Sequence, residues 1–594
     1  MLRNPAVLHS LRKPLSTIVL ALTLSACQST SNDSNENFSQ LAEQVMDFRA
    51  QQDEESLTNI NAEYLLSNLT PEHLAAVNQQ RVRFLAQLDN IGQSQLSEEN
   101  KINFAILRAQ IQNEVDLFRF KDHYVPLSSE YGFHSELQFM IQSQDYSTKL
   151  GYQLFIMRMK QLPRFFDQNI YWMKQGLSIG LTQPKVVLKG FEDSIMAFVA
   201  QGDDVEKSPF FAPFLNNQAN LPEQEFLALQ REAKRVIEAY VNPAYLKYND
   251  FFVNEYRPNA RENIAWSSVP DGKAFYVNRA KHFTTTQMTP KEIHELGLRE
   301  VARIRSEMNR IIEQVGFEGS FAEFIHFLRT DPQFYAKTPI ELLKEASFIA
   351  KKMDAKLPQL FHTLPRLPYG VAPVPDSIAP KFTTGRYLGP SKETDAGYYW
   401  VNTYALDKRP LYVLEALTLH EGVPGHHLQI SLNAELTHLP AYRQSEYISA
   451  FGEGWGLYAE YLGIEAGFYQ DPYSDFGRLT YEMWRAARLV VDTGVHMFGW
   501  TREQVMQFMQ DNTALSLHNV KTETDRYISW PGQALSYKVG ELTIKRLRAK
   551  AEAELGEAFD VREFHHQVLK HGSVPLFVLE AQIDKYIAQT LQSQ

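Results

Sequence analysis

The sequence predicts one large, mainly α-helical domain with a small β element. Three observations carry this. Helix-opening caps recur, as in Thr289-Pro290-Lys291-Glu292 and Thr338-Pro339-Ile340-Glu341. Long stretches such as Lys101 to Phe120 place apolar residues at helical spacing. Between Pro365 and Val401 the texture changes: Pro368, Pro373, Pro375 and Pro380 come with several glycines. They lead into the aromatic and β-branched run Gly397-Tyr398-Tyr399-Trp400-Val401-Asn402-Thr403-Tyr404, which has the character of a strand.

In chain order, the N-terminus reads as a secretion signal. Arg3, Arg12 and Lys13 form a basic region before the apolar run Leu15 to Leu24, which is too short to span a bilayer. Leu24-Ser25-Ala26-Cys27 looks like a bacterial lipobox. That likeness implies removal of residues 1–26 and lipidation of Cys27; the plainer reading is an ordinary signal with an incidental cysteine. Gln28 is not the Asp that retains such lipoproteins at the inner membrane, so the expected location is the bacterial cell envelope, at the outer membrane facing the periplasm. Cys27 is the only cysteine, so no disulfide is expected. Residues 27–38 are the lipidated Cys and a polar, Ser/Asn-rich flexible tether.

From residue 39 to 594 the chain reads as a single helical domain with no internal linker and no repeat. Helices are expected after Thr70-Pro71-Glu72, over Lys101 to Phe120, Ser147 to Gly176 and Leu221 to Val241. Others run from Thr289 to about Val315, from Thr338 to about Leu360, and after Thr501-Arg502-Glu503-Gln504. Their Met and aromatic stripes are read as core. The net charge of −11 argues against nucleic acid and against a basic membrane-binding face. Membrane contact is expected through the lipid anchor alone.

Chemistry concentrates between Leu411 and Glu460. Leu411 to Leu419 is an apolar helix running into His420-Glu421-Gly422-Val423-Pro424-Gly425-His426-His427. In the H-E-x-x-H pattern two His one turn apart bind zinc and the Glu is the general base. Here the second His comes late. On a regular helix i+7 lies roughly 10 Å along the axis, too far for two imidazoles to share one ion. Pro424 cannot bond the carbonyl of His420, so a kink or bulge is expected there. If two residues bulge out, His426 arrives at the ligand position. We take His420 and His426 as ligands and Glu421 as base, with His427 as outer partner or alternative ligand. A second helix from Ala441 to about Gly463 carries Glu453 and Glu460 on one face, with Gly452, Gly454 and Gly456 permitting close helix approach. Glu453 is the expected third ligand and Glu460 the partner of a ligand His. The bland alternative, satisfied core histidines, would bury four polar groups in an apolar bent helix at high desolvation cost. His294-Glu295 has no second His at useful spacing and reads as surface helix.

Residues 420–429 (His-Glu-Gly-Val-Pro-Gly-His-His-Leu-Gln) resemble the signature of the bacterial domain of unknown function 885 family. Residues 289–297, 453–460, 488–496 and 531–540 resemble it too, so the likeness spans most of the mature chain. That family is grouped with H-E-x-x-H zinc metallopeptidases whose helical fold is similar to angiotensin-converting enzyme and thimet oligopeptidase. The resemblance implies a zinc-peptidase-like fold with a deep cleft beside the β element. The active-site portion would lie at about 397–540, with one Zn2+ per chain and short peptides as substrate. In peptidases of this type an edge strand binds the substrate backbone, which makes Asn402 and Tyr399 candidate contacts.

Further on, Tyr481 to His496 is a helix ending near Gly499, with Arg488, Asp492 and His496 four apart on one face. This is either a salt-bridged stripe or a polar wall with His496 facing an oxyanion and Asp492 as outer partner of the ligands. Tyr537 is the first candidate for oxyanion stabilisation and Tyr527 the second; Arg526 could bind a substrate carboxylate. The expected activity is peptide hydrolysis with Glu421 as proton carrier. Alternatives are an amidase acting on peptidoglycan stem peptides and a non-catalytic envelope lipoprotein on the same fold.

Overall fold

The computed structural model describes residues 31–52, 60–200, 202–376, 379–390, 395–444 and 446–593. The signal segment and Cys27 lie outside them. Among the described residues helix makes up 72% and strand 3%, with one three-stranded sheet, so the mainly α class holds. Among the described residues no helix is long and apolar enough to cross a membrane. The expected single domain is instead two compact units. The chain leaves one, passes through the other over 128–130 and 179–188, and settles there from Ala260 onward. No linker composition marks these passages, which is why the sequence reads as one body.

The first unit comprises the described parts of Met1–Leu127, Tyr131–Ser178 and Lys189–Asn259. Its first helix corrects the tether expectation: α1 spans Ser31–Gln52. Thr70 caps α2 (Pro71–Asp89) as predicted, its side chain accepting from His73 N. The polar residues of α1 are tied to the start of α3 (Glu98–Arg119). Ser34 Oγ donates to Gln95 Oε1 at 2.6 Å, and Asn35 Oδ1 accepts from Ser97 N at 2.9 Å. A stretch that looks solvated is thus held by side-chain hydrogen bonds that local composition cannot reveal. The long predicted helix is α4 (Lys149–Ile179). The one predicted to end at Val241 does not end there. After α5 (Glu223–Val236) the chain stays helical to Asn259 through two π-helical turns, Ile237–Val241 and Phe252–Tyr256. Each turn stands just before a proline, Pro243 and Pro258. A proline ring clashes with the carbonyl four residues earlier and offers no N–H; widening the preceding turn removes the clash without ending the helix.

The second unit comprises Ser128–Glu130, Ile179–Leu188 and Ala260–Gln594. Thr289 and Glu292 form the expected reciprocal capping box on α6 (Pro290–Gln314). On α7 (Pro339–Asp354) the box is one-sided: Thr338 accepts from Glu341 N, but the Glu341 carboxylate accepts from Lys337 N. Strands β1 (Tyr369–Pro373), β2 (Gly385–Leu388) and β3 (Gly397–Val401) follow in the order β1-β3-β2. β3, the predicted strand, pairs parallel with β1 and antiparallel with β2. It is therefore central, and cannot be the edge that accepts another backbone.

Helices α8 (Leu414–Glu421), α9 (His426–Ala434), α10 (Ser449–Glu465) and α11 (Pro472–Phe498) come next. The helix expected from Ala441 is in two pieces, Ala441–Gln444 and α10. α11 starts earlier than predicted, at the Asp471 cap, and stops on Gly499, whose φ of +72° closes the helix. Thr501 and Gln504 box the next helix, Arg502–Asn512, as expected. The last elements used below are α12 (Leu517–Ser529) and α13 (Ser536–Leu555). α10 and α13 cross through two glycines: a Cβ on Gly454 would lie 2.5 Å from Gly540 Cα, and one on Gly540 would lie 2.0 Å from Ala450 O. The Gly540→Ala variant is therefore expected to lose ~2–3 kcal/mol of stability as the helices separate; an unchanged urea midpoint would contradict this packing.

Candidate metal centre

The donors come from a helix that is cut, not bulged. α8 stops at Glu421, residues 422–425 turn the chain, and α9 starts at once with His426. Pro424, joined to Val423 by a cis peptide, sits in the turn. Gly425 lies directly on the end of α8: a Cβ there would meet His420 O at 1.9 Å and Leu419 O at 2.4 Å. Only glycine lets the backbone approach this closely. Trp455 on α10 fastens the turn, its Nε1 donating to Pro424 O at 2.8 Å.

The result is that the imidazoles of His420 and His426 stand 4.7 Å apart, centroid to centroid, at 88°. Their Nε2 atoms lie 3.8 Å and 3.5 Å from Glu453 Oε2. The three residues can each offer a donor atom within 4.8 Å of the other two. Donors around a tetrahedral zinc ion with bonds of ~2.0–2.2 Å stand about 3.3–3.6 Å apart. The N/N/O donor set and the two spacings to Glu453 fit such an ion, and the widest spacing in the group, up to 4.8 Å, would have to close by about 1 Å around it. Gly456 makes room for the ring, since a Cβ there would come 2.6 Å from His420 Cε1. Gly452 faces the Tyr447 ring and Gly454 faces α13, so only one of the three predicted spacer glycines admits a ligand.

Around the donors, Glu460 Oε1 shares a 2.8 Å hydrogen bond with His420 Nδ1, leaving Nε2 for the centre. Arg485 Nη2 stands 3.7 Å from the same Glu460 oxygen. Burial alone would lower the His420 pKa, but the carboxylates of Glu453, Glu460 and Glu421 push it up to about 9. Burial likewise disfavours the Glu453 anion, yet the two imidazoles hold its carboxyl well below the usual range. Three acids facing two histidines make a buried site that favours added positive charge. His426 Nδ1 is buried without a hydrogen-bond partner. His427 turns the other way: its Nδ1 meets the Tyr387 hydroxyl at 3.0 Å and Ser431 Oγ at 3.2 Å, and its ring packs 4.4 Å from that of Tyr369. It belongs to the sheet contact, and burial lowers its pKa to about 4.

Glu421 is buried, and its Oε2 accepts from Tyr387 N of β2 at 2.7 Å. Among the described residues its other oxygen makes no hydrogen bond. A residue that the sequence did not single out, Tyr447, comes from the break before α10. Its phenol lies beside Glu453, and burial together with that carboxylate raises its pKa. Tyr537 lies within electrostatic reach of Tyr447.

Several expected site residues lie elsewhere. Tyr399 is fully buried, its hydroxyl accepting from Thr418 at 3.4 Å, and Asn402 spends its amide on Ala379 O, Phe382 O, Thr383 O and Tyr404 N. Both hold the sheet and its loop. His496 is fully buried between Trp266 N, which donates to Nδ1 at 3.2 Å, and Tyr527 O, which accepts from Nε2 at 2.9 Å. With both nitrogens used, it is a pin for α12 and does not face an oxyanion. Asp492 accepts from the Tyr276 hydroxyl at 2.6 Å and from Gly532 N at 3.1 Å, and touches neither ligand His. Tyr527 is buried with its hydroxyl accepting from Trp484 Nε1 and Arg488 Nε, both at 3.0 Å. The 488/492/496 stripe is thus a buried set of separate anchors. His294 is partly buried on α6, hydrogen-bonded to Thr493 Oγ1 at 2.8 Å.

Residues 55–583 match the family described as bacterial protein of unknown function (DUF885). A crystal structure of a protein described as a lipoprotein, from Colwellia psychrerythraea, is 28% identical, with a TM-score of 0.84 over 94% of this chain and 100% of that one. A second, described as a lipoprotein of unknown function from Shewanella oneidensis, is 17% identical with a TM-score of 0.67, covering 93% and 99%. The latter likeness is one of fold. No curated protein matches the chain.

Asp492 generates a pH prediction. Burial raises its carboxyl pKa to about 7 in the fold, against about 3.9 unfolded. Between those values the folded chain holds a proton that the unfolded chain has released, so stability falls as pH rises through this window. Asp492→Asn should remove that decline, worth ~2–4 kcal/mol in total. Parallel stability–pH curves for wild type and variant would contradict it.

Proposed function

This chain belongs to the DUF885 family of bacterial proteins, and we propose that it is a zinc-dependent hydrolase of the cell envelope that cleaves peptide bonds of short peptides. The observation that carries the reading is the convergence of His420 Nε2, His426 Nε2 and a Glu453 oxygen, with the Glu421 carboxylate anchored beside them. A zinc ion held by these three would lower the pKa of a bound water and polarise the scissile carbonyl. The rest is the work of the chain. The Tyr387 amide fixes one Glu421 oxygen, so the other is presented in one orientation. Glu421 accepts a proton there and delivers it to the leaving amine. Glu460 holds the tautomer of His420. The half-buried phenols of Tyr447 and Tyr537 are the donors available to a developing oxyanion; of the two, Tyr447 stands beside the ligand carboxylate. A substrate backbone would run along β2, the edge strand next to Glu421, and not along β3.

Anchoring through a lipidated Cys27 to the outer membrane, facing the periplasm, is part of the proposal. It is supported by the lipobox-like Leu24-Ser25-Ala26-Cys27 and by the description of the Colwellia psychrerythraea protein as a lipoprotein. One observation favours the non-catalytic reading. A metal-bound His almost always donates its second ring N–H, whereas His426 Nδ1 has no partner.

The test is a short-peptide library incubated with zinc-supplemented wild type and Glu421→Gln. The glutamine keeps an acceptor for Tyr387 N and loses only the proton carrier. Cleavage falling by ~10²–10⁴-fold in the variant, with zinc content unchanged, is the expected outcome. No cleavage by wild type would favour the non-catalytic reading, and equal cleavage by both would remove Glu421 from the mechanism.

A further inference from the structure

The second unit holds a cationic group that the proposed hydrolysis does not use. Arg488 on α11 and Arg526 on α12 share one carboxylate: Glu523 Oε2 accepts from Arg488 Nη2 at 3.1 Å and from Arg526 Nη1 at 3.3 Å. Arg488 is 3% exposed. Its guanidinium lies 4.4 Å from the ring centroids of both Trp484 and Tyr537, and its Nη1 has no hydrogen-bond partner. Arg526 gives its Nη2 to the neutral Gln533. A further carboxylate, Glu130, interacts at longer range with Arg526 and also with Arg386 of β2. Two buried arginines therefore share one carboxylate, with Glu130 at longer range, in a chain whose net charge is −11. A buried guanidinium short of counter-charge is costly to fold, and a bound anion would offset that cost.

The group reaches toward the candidate centre through Tyr537. Tyr537, stacked on Arg488, lies within electrostatic reach of Tyr447, which stands beside Glu453. The Tyr537 side chain is partly exposed, and among the described residues its hydroxyl makes no hydrogen bond. Arg526 is also partly exposed, at 14% of its side chain. Those two can be touched from solvent, while Arg488 supplies charge from behind Tyr537.

We infer that Arg526 and Tyr537, backed by Arg488, form a subsite for a substrate carboxylate. This rests on the hydrolase reading and narrows it to anionic peptides. A planar carboxylate suits a guanidinium better than a point anion does. Its source is either the free C-terminus of the peptide or an acidic side chain.

The experiment uses the soluble mature chain. Peptides of one sequence are compared with a free C-terminus, with a C-terminal amide, and with Glu replaced by Gln. Binding to Glu421→Gln is read by calorimetry and cleavage by wild type is read in parallel. The expected result is a loss of about tenfold to a hundredfold in affinity when the recognised carboxylate is removed. That discrimination should shrink in Arg526→Gln and, by a smaller factor, in Tyr537→Phe, both in the Glu421→Gln background. Loss on amidation assigns the C-terminus; loss on Glu-to-Gln replacement assigns the side chain. Equal binding and equal cleavage of all three peptides would overturn the subsite and leave the hydrolase reading standing. Neither binding nor cleavage of any of them would overturn both.

Discussion

The candidate centre depends on one close approach of backbone to backbone. Gly425 rests against the last carbonyls of α8 with no room for a Cβ, so α9 restarts within a few ångström of where α8 stopped. That converts a sequence separation of six residues, hopeless on a continuous helix, into two imidazoles that face the same carboxylate. The turn is secured from the neighbouring helix by Trp455, and the same helix supplies Glu453, the space at Gly456 and the Glu460 carboxylate. α10 is thus ligand, clamp and outer partner together, and it is located by the glycine crossing with α13.

Electrostatics points the same way as geometry. His420, Glu453 and Glu460 are removed from water, where each charge is expensive unless answered by another. They answer one another, and Arg485 stands behind Glu460. Elsewhere in the same unit Lys538, with no exposed surface, meets Glu300, Glu482 and Glu541. His426 Nδ1 and Arg488 Nη1 are among the buried polar atoms that such pairing leaves without a partner.

Much of this was legible in the chain. Caps at Thr70, Thr289 and Thr501 stand where the sequence puts helix starts, because capping is a local hydrogen-bond matter. The His420/Glu421/His426/Glu453 constellation was legible because donor types and a proline sit at unusual spacing. What failed was non-local. The expected tether is polar in composition, but in its described part Ser34 and Asn35 are pinned by Gln95 and Ser97. Strand order cannot be read from one strand's pattern, so from sequence β3 reads as an edge and Tyr399 and Asn402 as contacts. His496 and Asp492 share a helix face with Arg488, yet their partners, Trp266, Tyr276 and Gly532, come from distant sequence. Tyr447 carried no signal, since a lone tyrosine before a helix has no pattern to betray it.

The central claim is that the donors of the cut helix hold a metal ion. The most direct measurement is zinc content of the soluble mature protein after dialysis against zinc, wild type beside Glu453→Gln and His426→Ala, with circular dichroism to confirm folding. About one zinc per wild-type chain, lost from both folded variants, is the result this account predicts. Wild type without zinc, or variants that retain it, would contradict it.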